Sequence, residues 1–189
     1  MATCDRLGHY VMLGAYLYRL IAAALLDPSV YEGIEVDRRA NAQALATVLL
    51  SSLAAGIGAG GWYGPRPATL TLVALIAMAC WVAWAVLTFQ IGTRILPARE
   101  TQATLGELLR TIGFAAAPGL LQVFAVLPRM TMPVFVATWL WMFAAMVIAV
   151  QHALDYPRTR RAVAVCALAA GLVLVLAVGF GLILAPTVS

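Results

Sequence analysis

The sequence predicts an all-α, polytopic membrane protein: a bundle of five transmembrane helices preceded by an N-terminal amphipathic helix in the interface. Three observations carry this. The 189 residues are 63% hydrophobic and only 11% charged, with a mean hydropathy of +0.94. A soluble domain would be about a quarter charged and about half apolar. The apolar residues fall into five stretches, each close to the ~20 residues that a helix needs to cross a bilayer. All twelve basic residues are arginines, and they cluster in alternate connections. A soluble globular domain, a nucleic-acid-binding module and a disordered tail are thereby excluded.

Residues 1–43 read as a cytoplasmic segment. Within it, Leu7 to Leu26 places Val11, Leu13, Leu17, Leu20 and Ala24 at helical spacing, interrupted by Arg6, His9 and Arg19. Arg19 inside a spanning helix would cost about 2.5–3.5 kcal/mol on insertion scales. A helix lying in the interface avoids that cost. Asp27 can cap a following short helix with Pro28 at its first position. That helix is expected to run through Arg39, with Glu35 and Arg39 spaced for an i,i+4 pair.

Residues 44–185 form the membrane domain, with spans expected at about 44–60, 68–91, 112–127, 133–151 and 162–185. The first carries Ser52, Gly56 and Gly60, a small-residue ridge with Gly58 beside it; Ala167 and Gly171 repeat the pattern on the fifth. Such ridges let helix backbones approach closely. They serve packing within the chain or contact with another chain. The third span is the shortest, but Thr104 followed by Glu107 is a capping-box signature that starts its helix earlier. Pro118-Gly119 falls inside it, and a proline that lacks a backbone donor is expected to kink the helix there, as a hinge or a packing notch. Trp62 and Tyr63 read as interface anchors, whereas Trp139 and Trp141 fall within the fourth span.

Orientation follows from the arginines. Arg6, Arg19, Arg38, Arg39, Arg94, Arg99, Arg110, Arg158, Arg160 and Arg161 share one side, against Arg66 and Arg129 on the other. The positive-inside rule then puts the N-terminus in the cytoplasm and the C-terminus outside. Arg38, Arg39, Arg94, Arg110, Arg158, Arg160 and Arg161 set this topology. The start, MATCDRLGHY, has no signal-peptide pattern. Cys4, Cys80 and Cys166 have no metal-ligand spacing, and no disulfide is expected.

Chemistry-bearing residues are sparse. His152 closes the fourth span beside Gln151 and near Asp155. It could bind a pigment or a metal or relay protons, although its ordinary role is at the headgroup boundary. Glu32, Glu35 and Asp37 could hold a divalent cation, but Arg38 and Arg39 beside them favour a solvated, paired face. The expected span interiors hold no Asp, Glu or Arg, which argues against proton coupling and intramembrane catalysis. Gln90 and Gln122 are their largest polar side chains, suited to interhelical hydrogen bonds. No enzyme activity and no cofactor are expected.

The stretch LLRTIGFAAAPGLL (Leu108 to Leu121) is followed by a proline-flanked loop (Pro128 to Pro133). A Trp-rich span then ends in VIAVQHALDYPRTRRAV (Val147 to Val163), ahead of a Gly/Ala-rich last span. With DPSVYEGIEVDRRANAQAL (Asp27 to Leu45) before the membrane, this resembles the bacterial branch of the YIP family, the Ypt/Rab-interacting-protein type, over roughly residues 20–185. The resemblance implies a five-helix membrane domain with a cytoplasmic N-terminus. In eukaryotes the family is associated with Rab-type GTPases and carries a DLYGP-like motif before the first span. Here the nearest string, Trp62-Tyr63-Gly64-Pro65, follows the first span on the outer side, so the Rab-binding role is not carried over. The expected function is non-enzymatic: a structural, assembly or accessory subunit of a bacterial inner membrane. Its partners would be the lipid bilayer and a membrane protein or further copies of itself, with no nucleic acid. The alternative is a small channel or transporter with a polar path near Pro118, Gln122 and Gln90. An interfacial lipid enzyme using Glu32 to Asp37 is a third reading.

Overall fold

The computed structural model describes the backbone of residues 2–64, 66–96 and 104–184, and the side chains over 12–61, 64, 66–96 and 104–175. Every regular element among these residues is helical. Helix α1 spans Ala2–Ala24, α2 Pro28–Val36, α3 Ala40–Tyr63 and α4 Pro67–Gln90, the last continuing into a π-helical turn over Ile91–Ile95. Helix α5 covers Leu105–Ala115 and is extended by a 3₁₀ segment over Ala117–Val126; α6 (Thr131–Ala153) and α7 (Thr159–Leu184) complete the chain. Among the described residues, four stretches are long and apolar enough to cross a membrane: Ala40–Gly61, Pro67–Ile95, Leu105–Val126 and Thr131–Ala153. Helix α7, at 26 residues, occupies the expected fifth stretch.

Local chemistry sets the boundaries. Asp27 caps α2 by accepting from the Ser29 N–H at 3.0 Å, with Pro28 in the first turn. The Thr104 side chain accepts from the Glu107 N–H at 3.3 Å, and the Thr104 N–H donates back to Glu107 at 2.8 Å, completing the capping box. Two expectations need correction. Helix α2 ends at Val36, not Arg39, because Asp37 is extended (φ −85°, ψ 99°) and its carboxylate accepts from the Arg39 N–H at 2.9 Å. Glu35 and Arg39 therefore do not share a helix face. Nor does Pro118 kink a continuous α-helix. The α-helix stops at Ala115, since the residue before proline is disfavoured in α and proline offers no N–H to the preceding turn. The chain goes on as ten residues of 3₁₀, well beyond the three or four usual for that geometry.

Helix α3 is the centre of the bundle, more than half of its span being buried inside the chain, whereas α4 is almost entirely uncovered. Small residues allow this on both sides of α3. Ser52 is buried, and a Cβ at Gly56 would strike the backbone oxygen of Leu70 on α4. Gly60 lines a small cavity on the same side with Arg66 and Leu70. On the opposite side, a Cβ at Gly58 would run into the Gln122 carbonyl, and one at Gly61 into Thr131. Gly113 and Gly119 complete the contact from the α5 side, the first against Ala44 and the second against Ser51. These pairings fix directions: α3 and α5 run in parallel, with α4 and α6 antiparallel to them.

Helix α1 lies against the bundle through Tyr16, whose hydroxyl is 3.1 Å from Thr47 Oγ1 and whose ring packs edge-on against Phe114. Trp141 Nε1 donates to the Ala24 carbonyl at 2.7 Å. Met12, Leu13, Leu17 and Ile21 remain exposed along α1. The side chains of Arg6, His9, Trp62 and Tyr63, and the whole of Arg99, lie outside what is described.

Candidate functional site

The antiparallel arrangement gathers the charge at one end of the bundle, where α3, α5 and α7 begin and α4 and α6 finish. Arg38, Arg39, Arg94, Arg158, Arg160 and Arg161 are all exposed there. Arg110 is different. The sequence reading placed it in a connection; the capping box moves it onto the second turn of α5, where it is only 7% exposed. Its Nη1 donates to Asn41 Oδ1 at 3.2 Å and its Nη2 to the backbone carbonyl of Glu35. One buried guanidinium thus ties together α2, α3 and α5.

Around it lie further ties that the sequence did not disclose. Arg19 forms an ion pair with Asp37 at 2.7 Å and donates to Gln43 at 3.1 Å, docking α1 onto the joint between α2 and α3. The Arg19 hydrogen bond, together with the Arg39 N–H, holds the Asp37 carboxyl below the usual carboxylate range. Glu35 goes the other way. Burial raises it first, the nearby charges of Asp155, Glu107 and Glu32 add to this, and Arg110 opposes them. Tyr31 is buried, its hydroxyl donates to the Ala23 carbonyl at 3.2 Å, and burial pushes that phenol upward. The Tyr156 hydroxyl lies 3.1 Å from the Gly92 carbonyl and 2.9 Å from that of Leu96, so it clasps the π-helical turn to the α6–α7 joint.

His152 is half-buried, with Nδ1 3.9 Å from Glu32 Oε1, an ion pair when the ring is protonated. Among the described residues no three His, Cys, Asp or Glu side chains assemble as a metal site. The Glu32–Asp37 acids are dispersed onto different partners: His152 for Glu32 and Arg19 for Asp37. Around Pro118 and Gly119 the packing is tight. Both are buried, as is Gln122, whose amide lies 4.0 Å from the Met142 sulfur. Gln90 sits apart on α4, half-buried.

A second feature is apolar. Helices α4, α6 and α7 enclose an open-sided groove of about 600 Å³ lined by Trp81, Trp84, Trp139, Phe143, Ala167 and Gly171, among others. Trp139 stacks on Phe143 at 6.0 Å, and Trp84 meets the same ring edge-on at 6.3 Å. The Ala167–Gly171 ridge is exposed, and a Cβ at Gly171 would meet nothing within 4 Å. Here the small residues are not used up by the chain's own packing.

These features define a polytopic helical membrane protein with an arginine-rich end, a buried polar tie and an open groove along its flank. A family model described as the Yip1 domain matches residues 10–180, and the chain belongs to that family. Neither the curated proteins nor the solved structures contain a match.

Proposed function

We propose that the protein is a non-enzymatic, five-span subunit of a bacterial inner membrane, with its N-terminus cytoplasmic and its C-terminus outside. It acts in structure or assembly by seating the transmembrane helix of a membrane-protein partner or a second copy. The observation behind this is the outward-facing Ala167–Gly171 ridge over the α4–α6–α7 groove. Small-residue ridges let backbones approach, and among the described residues nothing lies within 4 Å of a Cβ placed at Gly171. The arginine-rich end supports the orientation, and the exposed apolar face of α1, with Arg19 held by Asp37, supports an interfacial position for that helix.

The test is a photo-crosslinker at position 171, used in native membranes and followed by purification in mild detergent. The expected outcome is one discrete crosslinked protein, abolished by Ala167→Leu, with a second site at Leu72 on the outer face of α4 giving only lipid adducts. A lone monomer crosslinked equally to lipid at both positions would overturn the reading.

A further inference from the structure

Arg110 has no direct ion-pair partner among the described residues, although the Glu35 carboxylate acts on it at longer range. Its two described acceptors, Asn41 Oδ1 and the Glu35 carbonyl, are neutral. Among the described residues no carboxylate comes within ion-pair distance of it, and its Nε–H has no acceptor. A buried cation solvated only by dipoles is costly, and a counter-anion relieves that cost. The nearest acids are directed elsewhere: Glu107 turns back onto the Thr104 N–H, and Glu35 offers Arg110 its backbone rather than its carboxylate.

Arg110 also borders open space. Arg110 lines a cavity of about 240 Å³ together with Asn41, Trp81, Gly106, Leu45 and Leu109. The Trp81 indole N–H is also without an acceptor, and the Asn41 amide gives only its oxygen to Arg110. Asn41 is the second residue of α3 and Gly106 the second of α5. These parallel helices therefore bring two positive dipole ends to one cavity. At α3 the Arg39 side chain makes no capping bond, and the Asp37 carboxylate accepts from the Arg39 N–H while the Ala40 and Asn41 N–H groups donate to the Asp37 and Arg38 carbonyls. The remaining walls are apolar, and Leu45 faces outward beside them. Asn41, on the cavity wall, lies at the start of the Ala40–Gly61 span, at the end of the bundle where the arginines gather.

We propose that this cavity binds the phosphate of an anionic phospholipid from the leaflet at the arginine-rich end, with Arg110 as counter-ion and Trp81 and Asn41 as further donors. Its acyl chains run outward over Leu45 and Leu109. A free phosphate ion would leave the apolar walls without a partner. The site is distinct from the α7 groove and does not depend on the helix-seating reading above.

The experiment uses the full chain, delipidated in detergent. Native mass spectrometry counts retained lipid, and thermal unfolding follows addition of phosphatidylglycerol, phosphatidylcholine or inorganic phosphate. Phosphatidylglycerol is expected to bind and raise Tm, and the other two are not. Arg110→Gln should weaken phosphatidylglycerol binding at least about tenfold, the scale of one charge-assisted hydrogen bond. Trp81→Phe, which keeps the ring and removes the N–H, should weaken it by a smaller factor and serves as the deciding variant if Arg110→Gln does not fold. The exposed Arg160→Gln should bind as the wild type does. Equal stabilisation by phosphatidylcholine or by inorganic phosphate overturns the proposal, as does unchanged affinity in Trp81→Phe or an equal loss in Arg160→Gln.

Discussion

At the scale of single residues, the bundle depends on side chains that are missing. Gly113 faces the backbone of Ala44, and Gly58 faces the Gln122 carbonyl, so neither position has room for a branched side chain. Gly113→Val is expected to destabilise the protein by about 1–3 kcal/mol, the usual cost of overpacking, or to prevent folding altogether. Gly171→Ala, with open space around it, should leave the Tm of the isolated chain unchanged. Thermal unfolding of the two variants side by side checks both. Spacing alone made the Ser52–Gly56–Gly60 ridge legible, because a small residue every fourth position reads as a helix face. Gly119 was legible only as a companion of Pro118; that it receives Ser51 depends on a neighbour 68 residues away, which no local pattern encodes. The Thr104–Glu107 capping box places Arg110 on a helix from sequence alone, but its burial against Asn41 and the Glu35 carbonyl depends on residues 69 and 75 positions away, which no local pattern encodes.

At the scale of elements, caps and ion pairs decide where each helix starts and what it docks on. Thr104→Ala removes one half of the capping box and should cost about 1 kcal/mol. The loss should be read as faster amide exchange over Leu105 to Leu108, with α6 unchanged. The Arg19–Asp37 pair makes a pH statement. Because the folded-state Asp37 carboxyl sits below its ordinary value, its contribution is complete above the ordinary carboxylate range. That contribution is lost only as pH falls through the lowered value. Amide-exchange protection of the α1–α2 joint should therefore be retained on going from neutral to about pH 5, and Asp37→Asn should lower it equally at both. Glu35 has the opposite sign. Its value is raised, so the docking of α2 weakens as pH climbs from the ordinary carboxylate value through the raised one. Glu35→Gln is accordingly expected to raise Tm at neutral pH, more than at acidic pH. The Asp27 cap and the capping box could be read from residue type and spacing. The Val36 terminus could not, since it depends on Asp37 turning toward Arg19 from another helix.

At the scale of the whole molecule, composition was enough for the class: apolar stretches of crossing length can only be helices when every backbone group must find its partner internally. Their alternation then placed the arginines of alternate connections at one end. The proposed five-span, N-inside topology makes a direct prediction. A cysteine replacing Arg160 should react with a membrane-impermeant thiol reagent only from the cytoplasmic side, and one replacing Arg66 only from the outside. Labelling of intact cells against inverted vesicles measures this; the same pattern at both positions would contradict it. What composition did not reveal is the uneven burial of the spans, with α3 enclosed and α4 bare along its flank. Mean hydropathy is high for both, because lipid and protein interior are equally apolar solvents.

The 3₁₀ segment has a consequence for how this chain fits its bilayer. Ten residues rise roughly 20 Å as 3₁₀, against roughly 15 Å as α-helix. The third crossing is thereby drawn out by about one helical turn in length without an added residue. Glycine on either side, Gly58 on α3 and Gly119 on this segment, lets the two lie close together. Between the Gly113–Ala44 and Gly58–Gln122 contacts, the third crossing thus keeps pace with α3 while using fewer residues.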